Sequence, residues 1–205
     1  MLHILNSADG RSSCAARQAM FAARKAVFVD LLKWDVPVLA GRYEIDQFDD
    51  RHARYLVLTG EAGAHLGSAR LLPTLRPHIL DSFYAALCDD APPRGHGIFE
   101  ITRFCLDRRL SACERRGVRD TLVQALAAHA LAAGITRYSA IAPTRWARQI
   151  AGFGWRCAPL GAPQSVGGER LVALSIEIDR DTPARLTQAG IVADPGLLAD
   201  LPAAA

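Results

Sequence analysis

The sequence has no long apolar run, no metal-binding cysteine pattern and little excess charge. No segment approaches the ~20 apolar residues that a membrane span requires, and the opening MLHILNSADG is predicted not to be a signal peptide. The five cysteines form no C-x-x-C pair, and EIDQFDD lacks the EF-hand spacing. Reduced thiols, a cytoplasmic location and no metal site are therefore expected. The formal charge of +3 is too small to indicate a nucleic-acid partner.

Several enzyme signatures are absent as well. The chain contains no G-x-S-x-G, no G-x-G-x-x-G after a strand, no P-loop and no H-E-x-x-H. The hydrolase, dinucleotide-binding, nucleotide-binding and zinc-protease classes therefore have no support.

What is present indicates one α/β domain. Half of the residues are hydrophobic, which is enough for a full core over residues 1–182, and residues 183–205 are predicted to be a loosely attached tail. The predicted strands alternate with helices, which gives a mixed sheet flanked by helices. The predicted strands are residues 3–5, 54–58, 64–72, 98–106, 136–142, 154–156 and 171–178, and the helices begin near Ser12 or Ser13 and at residues 78, 115 and 143.

Residues 24–49 combine arginine with aromatic and acidic side chains. An apolar helical stripe is predicted, with Arg24, Phe28 and Leu31 on one side. A polar loop follows Trp34 and contains the acids Glu44, Asp46 and Asp49. Such a helix and loop could cradle a small cationic ligand that carries adenine. A capping helix with solvated or paired acids is the alternative.

The strand predicted over residues 98–106 contains Glu100 and Arg103 among bulky apolar residues. Charged groups in such a strand are expected to be paired or functional. They lie three positions apart, so a regular strand would direct them to opposite faces. A β-bulge between them is expected to bring them to one side.

A basic stretch precedes and opens the long helix predicted from residue 115. Positive charge there opposes the positive end of the helix dipole. Either an anionic partner docks at this stretch or its side chains form a solvated face. Its arginines are Arg108, Arg109, Arg115, Arg116 and Arg119.

The order of these residues resembles the LuxI-type acyl-homoserine lactone synthases. The resemblance rests on R-x-x-V-F-x-x-x-L-x-W from Arg24, on G-x-x-E-x-D-x-F-D from Gly41 and on E-x-x-R-F from Glu100. It also includes Arg70 and Phe83 and covers about residues 1–180. It implies catalytic roles for Glu100, Arg70, Arg103 and Asp46. The S-adenosylmethionine site that it implies comprises Arg24, Phe28, Trp34, Asp46, Asp49 and Phe104.

The resemblance also implies a fold and a reaction. The fold is a GNAT-like, largely antiparallel central sheet flanked by helices, with a helical N-terminal cap. S-adenosylmethionine is a substrate, no cofactor is needed, and the acyl thioester comes from an acyl carrier protein or coenzyme A. The usual GNAT pyrophosphate loop is not matched, because Glu114 stands where glutamine or arginine precedes Gly117. A conventional GNAT N-acyltransferase using acyl-CoA and a non-catalytic GNAT-like binding protein stay open as alternatives.

The acyl pocket implied by the resemblance lacks a hydroxyl at one position. In synthases of this family that make 3-oxo signals, a threonine in the strand after the long helix binds the 3-oxo group. Ala140 or Ala142 stands there in this chain, which favours an unsubstituted acyl chain and, second, a short branched one. Ser139 would restore the hydroxyl if the register differed by one residue. The predicted pocket comprises Phe83, Ala140, Ile141, Trp146, Ile150 and Phe153.

Overall fold

The computed structural model describes residues 1–6 and 11–198, with only the backbone given for residues 11–13. The strands are β1 (Leu2–Leu5), β2 (Val38–Leu39), β3 (Tyr43–Glu44), β4 (Arg54–Thr59), β5 (His65–Pro73), β6 (Ile98–Leu106), β7 (Arg137–Pro143), β8 (Arg156–Pro159), β9 (Gln164–Val166) and β10 (Glu169–Glu177). The α-helices are α1 (Arg11–Arg24), α2 (Ile79–Phe83), α3 (Ala112–Ala132), α4 (Thr144–Ala151) and α5 (Thr182–Gln188). A π-helical segment (Lys25–Leu31) continues α1, and 3₁₀ turns lie at Glu61–Gly63, Ala85–Leu87 and Pro195–Leu197.

The predicted strands and helices are confirmed, with small differences at their ends. Helix α1 is already formed at Arg11, earlier than the predicted start at Ser12 or Ser13, whose side chains lie outside the described part. The predicted helix from residue 78 is divided into α2 and a 3₁₀ turn. Strands β2, β3 and β9 are too short for a periodic pattern and were not predicted.

Contacts group the chain into two compact units that alternate in sequence. One comprises Met1–Arg70, Arg103–Ala125 and Val192–Ala205, and the other comprises Leu71–Thr102 and Leu126–Ile191. Each of β5, β6 and α3 contributes residues to both units. The single domain predicted over residues 1–182 stays a prediction.

The first unit is built on β1, β4 and the adjoining parts of β5 and β6. Strands β1 and β4 are antiparallel, with Leu2 opposite Leu58. Leu56, Val57 and Leu58 are fully buried. The run RYLVLT is almost continuously apolar because both of its faces are covered.

The second unit is built on β6, β7, β10 and β8, with β9 at one end of β10. Strand β10 pairs antiparallel with β7, β8 and β9, whereas β6 and β7 are parallel, with Glu100 opposite Ser139. A parallel neighbour requires a crossover, which α3 supplies. The pairing in the two units is therefore mixed and largely antiparallel, as predicted.

Helix α3 is the longest described helix and buries one face. Val118, Leu122 and Leu126 are buried on it, and it ends before Gly134, whose φ of 67° suits the predicted C′ position. His129 is half-buried, as expected for a structural histidine. Neither α3 nor any other helix among the described residues combines the length and apolarity needed to cross a membrane.

The segment after β10 differs from the predicted loose tail. Residues Thr182–Gln188 form α5, in which Leu186 is fully buried, and Ile191 is buried beyond it. The prediction of a loosely attached tail is therefore wrong for residues 183–191. The Ala- and Pro-rich composition of this segment gives no clear helical period, so the short helix and its few buried apolar residues were not predicted. The end of the predicted tail, residues 199–205, lies outside the described part.

Candidate active site

The π-helical segment turns the chain at the start of the site. The backbone N–H of Leu32 donates to the carbonyl of Val27 at 2.9 Å, five residues back, which widens the helix. Phe28 is buried, but Leu31 is 52% exposed. The predicted sharing of one side by Arg24, Phe28 and Leu31 is therefore wrong for Leu31, because the wider turn breaks the 3.6-residue period. Turns of this kind occur often at functional sites.

Phe28 and Trp34 form an aromatic pair beside this turn. Their ring centroids are 4.7 Å apart and their planes differ by 14°. The Arg103 guanidinium lies 5.7 Å from the Phe28 centroid and 5.8 Å from that of Trp34. Trp34 is 41% exposed, so part of its surface remains open to a ligand. The predicted neighbours Phe28 and Trp34 are thus brought together.

Arg24 joins two acids of the loop from its place at the end of α1. Its Nε donates to Glu44 Oε2 at 2.5 Å, and its two Nη atoms donate to the two oxygens of Asp49 at 2.8 Å each. All three side chains are buried, with exposures of 0–1%. This is the two-pronged geometry that arginine forms with carboxylates.

Asp46 is held by two further arginines. Arg70 donates through Nη1 and Nη2 to its two oxygens at 2.6 and 3.0 Å, and Arg103 Nη2 donates to Asp46 Oδ2 at 2.7 Å. Arg70 Nη1 also lies 2.9 Å from Asp49 Oδ1, and Arg103 Nη2 lies 3.0 Å from Glu44 Oε1. The result is one connected set, called here the arginine–carboxylate cluster: Arg24, Glu44, Asp46, Asp49, Arg70 and Arg103.

The arginine–carboxylate cluster is electrically balanced, with three cations and three anions. Burial alone would raise the pKa of Asp49, but the hydrogen bond from Arg24 and the charge of Arg70 outweigh it and lower that pKa. Burial would likewise lower the pKa of Arg24, but Asp49 and then Glu44 raise it. The ionised forms of Asp49 and Arg24 are thus favoured at neutral pH, as a preformed polar site for a charged ligand requires.

Two members of this site were not among the predicted site residues. Glu44 bridges Arg24 and Arg103 from the short strand β3. Tyr55 of β4 donates its hydroxyl to Asp49 Oδ1 at 2.9 Å. The Glu44 position was visible in the G-x-x-E-x-D-x-F-D pattern, whereas Tyr55 reads as an ordinary strand residue and gave no signal. Phe104, a predicted ligand contact, is half-buried next to Arg103.

The acids of the loop are arginine partners. Each of Glu44, Asp46 and Asp49 accepts at least one hydrogen bond from an arginine. None of the three carboxylates is therefore available as a ligand for a metal ion alone. Among the described residues, no group of three or more acidic, histidine or cysteine side chains has the geometry to hold a metal ion.

Glu100 lies in the second unit, buried in β6. Its two oxygens accept the backbone N–H groups of Ile79 at 2.8 Å and Leu80 at 3.0 Å, the first residues of α2. The expectation that this embedded acid is bound is thus confirmed. Arg103 has a φ of 51°, which ends the regular alternation of β6 as a bulge does. That Glu100 and Arg103 share one side stays a prediction.

Three of the predicted acyl-pocket residues lie in β7 and at the end of α2. Ala140 and Ile141 are consecutive in β7 and therefore point to opposite faces of the sheet. Ile141 packs against Leu80 and Leu87. Phe83 is 63% exposed, because α2 ends there and turns its last residue outward. That Phe83, Ala140 and Ile141 line one pocket stays a prediction.

The remaining pocket residues lie together on and after α4. The rings of Trp146 and Phe153 meet edge to face with centroids 5.8 Å apart. Ile150 and Phe153 are buried and Trp146 is half-buried. Helix α4, which carries Trp146 and Ile150, packs against β7.

Comparison with known proteins agrees with this geometry. The family model for autoinducer synthases matches residues 9–186. An acyl-homoserine-lactone synthase of Ralstonia nicotianae is 34% identical over 194 residues, which cover 91% of this chain and 94% of the relative. A solved CoA-dependent acyl-homoserine lactone synthase, MesI, has a TM-score of 0.84 at 25% identity, covering 95% of this chain and 97% of that one.

Two further solved structures bear on ligands and fold. BjaI, a CoA-dependent acyl-homoserine lactone synthase solved with SAM and isopentyl-CoA, has a TM-score of 0.82 at 26% identity and covers 93% of this chain and 89% of its own. A putative N-acetyltransferase from Lactobacillus plantarum, 19% identical with a TM-score of 0.56 over 87% of this chain and 99% of its own, shares the fold alone and supports the GNAT-like class. The family model spans most of the chain, and the chain belongs to the autoinducer synthase family.

Proposed function

We infer that this chain is an acyl-homoserine-lactone synthase. It acylates the amine of S-adenosylmethionine from an acyl thioester and then closes the lactone with release of 5′-methylthioadenosine, producing a quorum-sensing autoinducer. The observation that carries this conclusion is the buried, charge-balanced arginine–carboxylate cluster beside the Phe28–Trp34 pair. The family match and the names of the relatives support it.

S-adenosylmethionine presents a sulfonium cation, an amine, a carboxylate and an adenine ring. We assign the aromatic pair to the adenine or the sulfonium, since both stack favourably on indole and phenyl faces. The acids Asp46 and Asp49 favour the positive groups, and Arg103 and Arg70 favour the methionyl carboxylate. Arg24, at the end of α1, holds two acids of the loop in position through its hydrogen bonds.

The first chemical step forms the amide. The amine loses a proton and attacks the thioester carbonyl, and the thiol leaves. We assign the proton acceptor to Glu100, directly or through one water. Each oxygen of Glu100 accepts one backbone N–H, which fixes the orientation of the carboxylate.

The second step closes the ring. The methionyl carboxylate attacks its own γ-carbon and the sulfonium leaves as neutral methylthioadenosine. The leaving group is already good, so the chain mainly needs to hold the nucleophile in line. Neither step changes an oxidation state, and we propose that no cofactor takes part.

The acyl donor is a coenzyme A ester or an acyl carrier protein thioester. BjaI is described as CoA-dependent, and we propose that acyl-CoA serves this chain as well. The cytoplasmic location expected from the sequence stays a prediction.

The test of the function is incubation with labelled S-adenosylmethionine and an acyl-CoA. A synthase releases methylthioadenosine in a one-to-one ratio with acyl-homoserine lactone. Transfer of the acyl group without methylthioadenosine would identify a conventional N-acyltransferase instead. Binding without turnover of either substrate, with acyl carrier protein thioesters also tried, would identify a binding protein.

Replacing Trp34 by alanine is expected to weaken S-adenosylmethionine binding. The ring is partly exposed, so its loss should destabilise the fold by less than the roughly 3–5 kcal/mol of a core tryptophan. A lost cation–π or stacking contact is worth about 0.5–2 kcal/mol, which is a decrease in affinity of about two- to thirtyfold. Calorimetric titration of the folded variant measures it.

Leu32→Ala is the matched control for Trp34→Ala, because Leu32 lies two residues away and is 49% exposed. It should leave the affinity for S-adenosylmethionine unchanged. Equal affinity in the wild type and Trp34→Ala would remove Trp34 from the ligand site.

The product is expected to be an unsubstituted acyl-homoserine lactone. Ala140 and Ala142 carry no hydroxyl for a 3-oxo group, whose unmade buried hydrogen bond would cost about 1–3 kcal/mol. Ser139 is fully buried and directed to the opposite face of β7 from Ala140. Mass spectrometry of lactones from an expressing culture checks this, and a profile dominated by 3-oxo lactones would contradict it. A short branched chain is the second expectation.

A further inference from the structure

A cavity of about 420 Å³ opens in the first unit along one face of α1. Five alanines line it, and four of these follow one another along the helix, namely Ala19, Ala22 and Ala23 of α1 and Ala26 of the π-helical segment. Their spacing of three and four residues places them on one helix face. All four are half-buried, and since alanine ends at Cβ, this face leaves space instead of filling it. The volume lies within the range of small-molecule pockets.

His65, the first residue of β5, also lines this cavity. It is 4% exposed, and its Nε2 is bonded to Ser68 Oγ at 2.9 Å. Its Nδ1 is buried and finds no hydrogen-bond partner among the described residues. Burial lowers the pKa of His65 to about 4, against the weaker opposing charge of Asp107, so the ring is neutral at pH 7. A buried polar atom without a partner indicates that a ligand or water completes the site.

The third side of the cavity carries charge. Asp107 is bound by Arg109, whose Nη2 donates to Asp107 Oδ2 at 2.6 Å. Arg108 also lines the cavity, is exposed, and takes part in no ion pair within the described part of the chain. One acid and two arginines leave this side positive, which favours an anionic group on the ligand.

We propose that this cavity binds a medium-chain carboxylate, with the alkyl chain along the alanine face and the carboxylate at Arg108. The lining contains no phenylalanine, tyrosine or tryptophan, so a flexible aliphatic chain suits it better than a planar ring that gains from stacking. None of its lining residues belongs to the arginine–carboxylate cluster. The site is thus separate from the proposed S-adenosylmethionine site, and its occupancy is measured without turnover.

The test is calorimetric titration of the full chain with decanoate below its micelle concentration. Saturable one-to-one binding is expected. Ala22→Leu should weaken it by about tenfold or more, because leucine fills the space that the chain occupies. Ala15→Leu is the matched control, since Ala15 is exposed on the same helix and does not line the cavity. It should bind decanoate as the wild type does.

The charge is tested separately. Arg108→Glu should weaken decanoate binding by about tenfold. Arg116→Glu makes the same charge change at an exposed position of α3 and should have little effect. Decanol, which has the chain without the charge, and inorganic phosphate, which has the charge without the chain, should each bind at least about tenfold more weakly.

Three results would overturn the proposal. These are the absence of saturable decanoate binding, equal binding by the wild type and Ala22→Leu, and equal affinity for decanoate and decanol. Circular dichroism shows that each variant is folded. If Ala22→Leu does not fold, Ala19→Leu on the same face replaces it.

Discussion

Replacing Glu100 by glutamine is expected to lower the rate of lactone formation by about 10²–10⁴-fold, the usual loss when a general base is removed. The glutamine amide keeps the size of the side chain but cannot take a proton from the amine. The structure adds a consequence for stability. Both oxygens of Glu100 accept backbone N–H groups of α2, and the amide nitrogen of glutamine would face one of them, at a cost of about 1–3 kcal/mol.

The rate therefore has to be compared on folded protein and against a suitable control. Glu177→Gln is the matched change, because Glu177 is an exposed acid at the end of β10. It should retain wild-type activity. The pH profile separates a base from a structural role. Without its base, the variant should regain rate as the pH rises and the amine of S-adenosylmethionine loses its proton in solution. A variant that keeps more than about half of the wild-type activity at neutral pH would remove Glu100 from this role.

Much of the fold follows from local patterns in the sequence. Strand β4 reads as a strand because RYLVLT is almost wholly apolar, and α3 reads as a helix because Val118, Leu122 and Leu126 recur with its period. The short strands β2 and β3 have two residues each, which is too few for any periodic signal. They are formed by the loop that places Glu44 in the arginine–carboxylate cluster.

The site was predicted better in its residue types than in its geometry. The resemblance implies a charged cluster of Arg24, Asp46, Asp49, Arg70, Glu100 and Arg103. The structure joins all of these except Glu100 by ion pairs, and the place of Glu100 in the cluster stays a prediction. Which arginine meets which acid depends on tertiary packing, which no spacing encodes. The π-helical turn that exposes Leu31 likewise conflicts with the helical period read from the sequence. The acyl pocket stays a prediction, because the resemblance gives positions in a strand but not the face to which each side chain points.

Replacing Arg24 by methionine is expected to reduce the free energy of unfolding by about 3–5 kcal/mol, because the buried cluster then holds three carboxylates against two cations. Glu44 would lose its hydrogen bond from Nε, and Asp49 would lose two from the Nη atoms. Methionine keeps an unbranched apolar side chain at this position, but it lacks the guanidinium, whose carbon lies 5.1 Å from the Phe21 ring centroid. The loss therefore reports charge and hydrogen bonds more than volume.

Lys25→Met is the neighbouring control for Arg24→Met. Lys25 pairs with Asp30 at 2.8 Å, but both side chains are partly exposed, at 27% and 43%. Removing this cation should cost less than about 1 kcal/mol. Denaturant unfolding of the three proteins measures the difference, and equal losses for the two variants would mean that burial of the arginine–carboxylate cluster does not determine its stability.

The dependence of that difference on pH tests its electrostatic origin. The pKa of Asp49 is lower in the folded chain than the ordinary value of about 3.9, chiefly because Arg24 and Arg70 outweigh its burial. Its ionised form therefore stabilises the fold above pH about 4, and this contribution is lost as the pH falls through the lower folded pKa. The gap between wild type and Arg24→Met should accordingly be largest near neutral pH and narrow below pH about 4. If the difference in free energy of unfolding were constant across this pH range, the loss would come from packing against Phe21 and not from the paired charges.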